Sequence, residues 1–173
     1  MSEGHLFTPD EVAQRMHDAE ANRVIPFDEF LTWRSTMKVY LAAPYSRKDE
    51  IKGYAEELRA GGVTVTSSWL EEPHTPTTQM QDLTHEEHLK YAVQDVKDVH
   101  AAKLLVFFTD PTGTIVRGGR HVEFGIALER RMPIFVIGEQ RENIFHHMPG
   151  VMHFESWEKV RALLIAMSEP TSA

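Results

Sequence analysis

Short apolar runs alternate with longer amphipathic stretches along most of this chain. Four runs have the length and composition of buried strands: "MKVYLAAP" from Met37, "VTVTSSW" from Val63, "KLLVFFT" from Lys103 and "PIFVIG" from Pro133. Strands that are buried on both faces and alternate with helices indicate a parallel sheet covered by helices. We therefore predict an α/β fold, a three-layer Rossmann-like or flavodoxin-like domain with a parallel sheet of about five strands.

Four amphipathic stretches carry the start and stop signals of helices. "SRKDEIKGYAEELRAGG" has Ser46 as its expected N-cap and a glycine pair as its stop. "THEEHLKYAVQDVKDVHAA" opens with a predicted capping box of Thr84 and Glu87. "RHVEFGIALERR" follows a glycine-containing loop, and "WEKVRALLIAM" is the last helix of the pattern.

The first 36 residues have a different pattern, which predicts an N-terminal helical extension over residues 1–36 and an α/β domain over residues 37–173. Thr8 is the expected N-cap of a helix over residues 9–21, and Glu11 completes its capping box. A short second helix carries an apolar set that is too small to fold alone: Phe27, Phe30, Leu31 and Trp33. We expect this segment to pack onto the main domain or onto a partner subunit.

Composition limits the possible classes of function. The chain has 173 residues, of which 42% are apolar, enough for one domain with a continuous core. Its 18 basic and 26 acidic side chains give a formal charge of −8, which argues against binding to polymeric nucleic acid. There is no cysteine, so thiolate zinc sites and thiol nucleophiles are excluded. Without a signal-peptide pattern or a long apolar run, we expect a soluble cytoplasmic protein with no membrane partner.

Two carboxylates fall on faces that the pattern places inside. In a helical projection Asp95 lies within an apolar stripe formed by Tyr91, Ala92, Val96 and Val99. Glu123 lies between the directions of Ile126 and Ala127, near the start of its helix. A single inward carboxylate is more often a structural hydrogen-bonding group than a catalyst. Two of them near the ligand-binding edge of a parallel sheet favour catalysis, because a carboxylate pair supplies a nucleophile and an acid or base.

The loops that follow the strands also have simpler explanations. Ser46 could act only as a helix cap, and Gly118 and Gly119 could only permit a tight turn. Neither a P-loop nor a dinucleotide-binding fingerprint is present. The "HEEH" segment lacks metalloprotease spacing, and we expect no metal there. "FHHMPGVMHF" is expected to be a loop that packs by its apolar residues; a sensor of acidic pH is the alternative.

The segments "KVYLAAPYS", "QDVKDVHAAKLLVFF" and "GGRHVEFGIALERRMPIFVIG", in this order, resemble the nucleoside 2-deoxyribosyltransferase family and the related 2'-deoxynucleoside 5'-monophosphate N-hydrolases. The resemblance implies that Glu123 is a nucleophile that attacks C1' of the sugar. It further implies that Asp95 assists protonation of the departing base and that Tyr40 orients the nucleophile. It implies no cofactor, and the substrate would be a nucleoside or nucleotide.

The chain departs from this family near the nucleophile, where Arg117 replaces a carboxylate that engages the base in the transferases. Arg120 stands nearby, and Ser46 with Arg47 occupies the loop where the monophosphate hydrolases hold the 5'-phosphate. These cationic groups indicate a phosphorylated ligand, although solvated arginines at a helix start are the alternative.

Two further expectations come from the resemblance. Gly118 and Gly119 would let the backbone approach the sugar or phosphate. A loop from a neighbouring subunit would complete the pocket, so we expect a homodimer or larger homo-oligomer in which Asn143 reaches the partner's site; a loop folded on its own subunit is the alternative.

The sequence is therefore compatible with three hypotheses about function. The first is an enzyme that breaks, and in some cases remakes, the N-glycosidic bond of a 2'-deoxynucleoside or its 5'-monophosphate. The second is a nucleotide-binding sensor without turnover. The third is a structural interaction domain that uses the N-terminal helices. The joint presence of Tyr40, Asp95 and Glu123 favours the enzyme.

Overall fold

The computed structural model describes Thr8, Asp10, Glu11, Gln14 and residues 37–73, 82–110, 118–138 and 143–168. From residue 37 onwards the described residues contain β1 (Lys38–Ala42), α1 (Lys48–Ala60), β2 (Thr64–Val65), α2 (His85–Ala101), β3 (Leu104–Phe108), α3 (Gly119–Glu129), β4 (Ile134–Ile137), β5 (Val151–Phe154) and α4 (Trp157–Ser168). Three 3-10 segments connect them: Tyr45–Arg47, Ser68–Glu71 and Ile144–His147.

The five strands form one parallel sheet in the order β2-β1-β3-β4-β5. This is a doubly wound order, and the direction of winding reverses between β1 and β3. The central strand β3 is buried at every position because its five residues, LLVFF, are all apolar. The predicted α/β class and the number of strands are confirmed.

Helices cover both faces of the sheet, as neighbouring side chains of β3 show. Phe107 packs against Phe124 of α3, with ring centroids 5.2 Å apart. Phe108 packs against Tyr54 of α1 at 5.8 Å and against Trp157 of α4 at 5.9 Å. Because successive side chains of a strand point to opposite faces, α3 lies on one face and α1 and α4 lie on the other. Helix α2 contacts α3 and belongs to the same layer.

The predicted helix boundaries are confirmed in part. Thr84 and Glu87 form the capping box of α2: the Thr84 hydroxyl accepts from the Glu87 amide at 3.2 Å, and the Glu87 carboxylate accepts from the Thr84 amide at 2.8 Å. Thr8 and Glu11 make the same reciprocal contacts. The rest of the predicted N-terminal helices, including the apolar set of the second one, lies outside the described residues.

Two local predictions are wrong. Ser46 does not cap a helix: it is an exposed residue of the 3-10 segment, and α1 begins at Lys48 without a side-chain cap. The 3-10 turn itself opens the helix, since the Arg47 amide donates to the Pro44 carbonyl at 2.9 Å. Residues 151–154, expected within a loop, form β5. This edge strand buries only alternate side chains, so its apolar run is shorter than those of the inner strands.

The described residues contain no helix that is long and apolar enough to cross a membrane. The same part of the chain contains no group of three or more histidine, aspartate or glutamate side chains placed to hold a metal ion.

Candidate active site

Tyr40 and Glu123 meet beside the point where the sheet reverses its winding. Tyr40 is a fully buried residue of β1, and Glu123 is a half-buried residue of α3. The Tyr40 hydroxyl donates a hydrogen bond of 3.0 Å to Oε1 of Glu123. The structure therefore brings together two of the three residues for which the resemblance implied a catalytic role.

Asp95 completes this group from α2. Its Oδ1 atom is buried and has no hydrogen-bond partner among the described residues. Burial raises the pKa of the Asp95 carboxyl, and the negative charges of Glu72 and Asp98 raise it further. Burial and the charge of Asp95 also raise the pKa of Glu123, against which the Tyr40 hydrogen bond and the charge of Arg120 act. The two carboxyl groups are thus electrostatically coupled.

The inward face of α2 differs from the predicted apolar stripe. Val99 is buried as expected, whereas Ala92 is exposed and Val96 is 41% exposed. Asp98, which the sequence pattern did not single out, is buried at 7% exposure. The helix therefore turns Asp95 and Asp98 inward, and the apolar residues of the predicted stripe are divided between core and surface.

Arg120 is buried at the start of α3 and is held by two groups at the carboxyl end of β3. It forms an ion pair with Asp110, and its Nη1 donates to the Phe108 carbonyl at 3.1 Å. Its Nε atom has no hydrogen-bond partner among the described residues. Asp110 is a site residue that sequence reasoning missed; its only signal was its position directly after the third strand.

Arg47 approaches the same end of β3 from the first loop. Its guanidinium donates to Glu50 at 2.8 and 2.6 Å and to the Thr109 carbonyl at 3.4 Å. It also lies over the Phe108 ring, 5.3 Å from the centroid. Arg47 and Arg120 therefore contact consecutive carbonyl groups of the chain, and each is already paired with one carboxylate.

One of the two glycines at the start of α3 has a backbone conformation that favours glycine. Gly118 is the N-cap of α3 with φ of 82°, a conformation that favours glycine, and it precedes Gly119, the first residue of that helix. A Cβ atom added to either glycine would meet no heavy atom of the described residues within 4 Å. The predicted binding residue Arg117 lies outside the described residues.

Asn143 caps the 3-10 segment Ile144–His147, where its Oδ1 accepts from the Phe145 amide at 3.0 Å. The expectation that this loop packs by its apolar residues is wrong for its first half. Ile144 is 80% exposed, Phe145 53% and Met148 47%. The buried residue of this 3-10 segment is His146, whose ring packs on Phe124 and Phe107.

This fold and site define an α/β protein with a tyrosine and two carboxylates at the switch point of a parallel sheet. No protein-family model matches the chain, and no curated protein matches it. Among solved structures, a 2-deoxyribosyltransferase from the psychrotolerant bacterium Bacillus psychrosaccharolyticus is similar with a TM-score of 0.52 and 20% identity, over 73% of this chain and 95% of that one. The chain therefore has the fold of this transferase.

A CMP N-glycosidase from Clostridium botulinum is also similar, at 16% identity and a TM-score of 0.47, over 73% of this chain and 97% of that one.

Proposed function

We propose that this protein is an enzyme that cleaves or exchanges the N-glycosidic bond of 2'-deoxynucleosides or their 5'-monophosphates. One observation carries the proposal: at the ligand-binding edge of the sheet, Tyr40 donates to Glu123 beside Asp95, whose Oδ1 has no hydrogen-bond partner among the described residues. The fold shared with a 2-deoxyribosyltransferase supports it.

The proposed reaction has two steps at the sugar carbon C1'. A Glu123 carboxylate oxygen forms a bond to C1' while the bond from C1' to the base nitrogen breaks, and its electron pair leaves with the base. Asp95 gives its proton to the departing base, so that a neutral base is released. Water or a second base then attacks C1' and gives its proton to the Asp95 carboxylate, while the bond from C1' to the Glu123 oxygen breaks and the Glu123 carboxylate is released. Positive charge that develops at C1' is stabilised by this carboxylate.

The surroundings of the two carboxyl groups support this division of roles. Burial raises the pKa of both carboxyl groups, and at Glu123 the hydrogen bond from Tyr40 and the charge of Arg120 oppose this and favour the anionic form. Asp95 has an oxygen without a donor among the described residues and faces further negative charge, which favours its protonated form. When two coupled carboxyls share one proton, we therefore place the proton on Asp95 and the charge on Glu123.

Of the two proposed substrate classes, the cationic groups at the edge of the sheet favour the 5'-monophosphate. Arg47 and Arg120 approach the carboxyl end of β3 from both sides, and Ser46 is exposed beside Arg47. Gly118, whose φ is positive, is the N-cap of α3, and the free backbone amide groups in the first turn of a helix favour an anion. Gly119 and Arg117 belong to the same proposed phosphate and sugar subsite.

The proposed assembly is a homodimer or larger homo-oligomer in which Asn143 reaches the partner's site. Large exposed apolar side chains of the described residues lie on α2, α3 and the segment after β4: Leu89, Val93, Val96, Val122, Ile144, Phe145 and Met148. These exposed apolar side chains on the layer that carries the site support an interface there.

Release of free base is the experiment that tests the proposal. The purified protein is incubated with deoxyribonucleosides and ribonucleosides, with and without a 5'-phosphate, and the products are separated by chromatography. The wild type should release base from a 2'-deoxy substrate, and Glu123→Gln should lose nearly all of this activity with its fold intact. Thermal stabilisation by a nucleotide without base release from any substrate would instead identify the sensor.

A further inference from the structure

Asp98 is a buried carboxylate that the proposed chemistry does not use directly. Its Oδ2 accepts from the Ser68 backbone amide at 2.8 Å and from the Ser68 hydroxyl at 2.5 Å. Its Oδ1 accepts from the side-chain amide of Gln94 at 2.8 Å. All three donors are neutral groups. Among the described residues Asp98 has no ion-pair partner, so no cation there cancels the charge of this carboxylate.

This charge lies one helical turn from Asp95. Residues three positions apart on a helix are neighbours on one face, and the negative charge of Asp98 acts directly on Asp95. The other titratable groups that face Asp95 are Glu72 after the second 3-10 segment, Tyr45 in the first, Tyr40 on β1 and Glu123 on α3. Lys48 and Lys90 face Glu72, and Arg120 faces Glu123.

We propose that Asp98 is a positioning residue that acts through Asp95: its negative charge, held one helical turn away by the hydrogen bonds from Ser68 and Gln94, keeps on Asp95 the proton that goes to the departing base. This inference rests on the proposed function. Without the charge of Asp98, Asp95 would ionise at a lower pH and would more often lack that proton at neutral pH. The hydrogen bonds to Ser68 also tie α2 to the loop that follows β2, and this anchoring must be separated from the electrostatic effect.

The first experiment follows the Asp95 carboxyl by carbon-detected NMR as a function of pH, with Asp95→Asn used to assign the signal. Asp98→Asn keeps the size of the side chain and an acceptor oxygen but removes the charge. We expect it to lower the pKa of Asp95 by about one unit or more. Ser67→Ala is the matched control for loop anchoring, because the Ser67 hydroxyl accepts from the Leu41 amide at 2.6 Å and makes no bond to Asp98. It should leave the Asp95 titration unchanged.

A surface variant tests the same charge if Asp98→Asn does not fold. Gln94 is exposed and lies one turn before Asp98. Gln94→Lys places a cation beside the carboxylate and should also lower the pKa of Asp95, whereas Gln94→Met removes the hydrogen bond without adding a charge and should change it less. An Asp95 titration that is the same in Asp98→Asn, Gln94→Lys and the wild type would overturn the proposal.

The pH profile of base release is the second measurement. In Asp98→Asn the alkaline limb should move to lower pH for ordinary bases. It should stay in place for a 7-methylpurine, whose base already carries a positive charge and needs no proton to leave. An equal change for both substrates would indicate a structural role and contradict the proposal. The NMR titration needs no turnover: a lowered Asp95 pKa in a wild type that releases no base would refute the proposed function alone, and base release with an unchanged titration would refute the role of Asp98 alone.

Discussion

The hydroxyl of Tyr40 lies 3.0 Å from Oε1 of Glu123, although 83 residues separate the two along the chain. The contact joins β1 to α3 beside the switch point of the sheet. Burial and the charge of Glu123 raise the pKa of Tyr40 well above its ordinary value, so this phenol stays protonated and remains a donor. A donor of this kind fixes the direction of the carboxylate and stabilises its ionised form.

Tyr40→Phe tests this contact. The ring is fully buried and keeps its size, so the fold should persist while Glu123 loses a donor. A hydrogen bond to a charged group contributes about 1.5–3 kcal/mol, which corresponds to a loss of roughly 10- to 150-fold in kcat/KM. Steady-state kinetics of base release measure the loss. Wild-type kinetics in a correctly folded variant would show that the Tyr40 hydroxyl has no role in catalysis.

Asp95→Asn should stabilise the protein at alkaline pH more than at acidic pH. Burial, Glu72 and Asp98 raise the pKa of Asp95 from 3.8 to about 7 in the folded protein. A carboxyl whose pKa is raised by folding contributes stability that is complete below its unfolded pKa and is lost as the pH rises through the folded pKa. The contribution of this carboxyl to the stability of the wild type should therefore be lost between about pH 4 and pH 7, and the amide, which does not titrate, removes this part of the pH dependence.

Calorimetry of both proteins at pH 4.5 and pH 8 measures this difference. The gain in Tm of Asp95→Asn over the wild type should be larger at pH 8. The same gain at both pH values would show that the Asp95 carboxyl titrates normally.

Arg47→Ala tests the proposed phosphate subsite. If Arg47 binds the 5'-phosphate, its loss should weaken the binding free energy of a monophosphate by about 1.5–3 kcal/mol. KM for the monophosphate should therefore rise roughly 10- to 150-fold, and KM for the nucleoside should stay nearly unchanged. Arg161→Ala is the matched control, since Arg161 is a half-exposed arginine of α4 paired with Glu57. Equal effects of Arg47→Ala on both substrates would show that Arg47 does not bind the phosphate.

A mixing experiment tests the shared site. If Asn143 of one subunit completes the site of Glu123 in its partner, inactive Glu123→Gln chains mixed with inactive Asn143→Ala chains should recover part of the activity, because one site of each mixed dimer retains both groups. Asn143→Asp is the control for local folding, because its carboxylate can still cap the Phe145 amide. A monomer by light scattering, or no recovery after confirmed subunit exchange, would contradict the shared site.

The sheet could be predicted from the sequence because its inner strands are buried on both faces and appear as unbroken apolar runs. β5 could not, because Val151 and His153 of this edge strand are only half-buried. The pairing of Tyr40 with Glu123 followed from the resemblance and from the rule that ligands bind beyond the carboxyl ends of parallel strands, and the structure places the two in contact.

The polar surroundings of the site could not be predicted, because they depend on contacts between distant segments. A helical projection places apolar residues inside, so it assigned Val96 to the core and missed Asp98, which is buried because Ser68 donates to it twice. The ion pair of Arg120 with Asp110 likewise joins the first turn of α3 to a residue that follows β3.

The proposal that Glu123 is the nucleophile is tested most directly by trapping the bond between the sugar and Glu123. The wild type is incubated with a 2'-fluoro-2'-deoxynucleoside 5'-monophosphate, whose electronegative substituent slows both steps, then quenched in acid and analysed by mass spectrometry. We expect a mass gain equal to the sugar phosphate, located on the peptide that contains Glu123 and absent from Glu123→Gln. Base release by the wild type with no adduct, or with an adduct on Asp95, would contradict it.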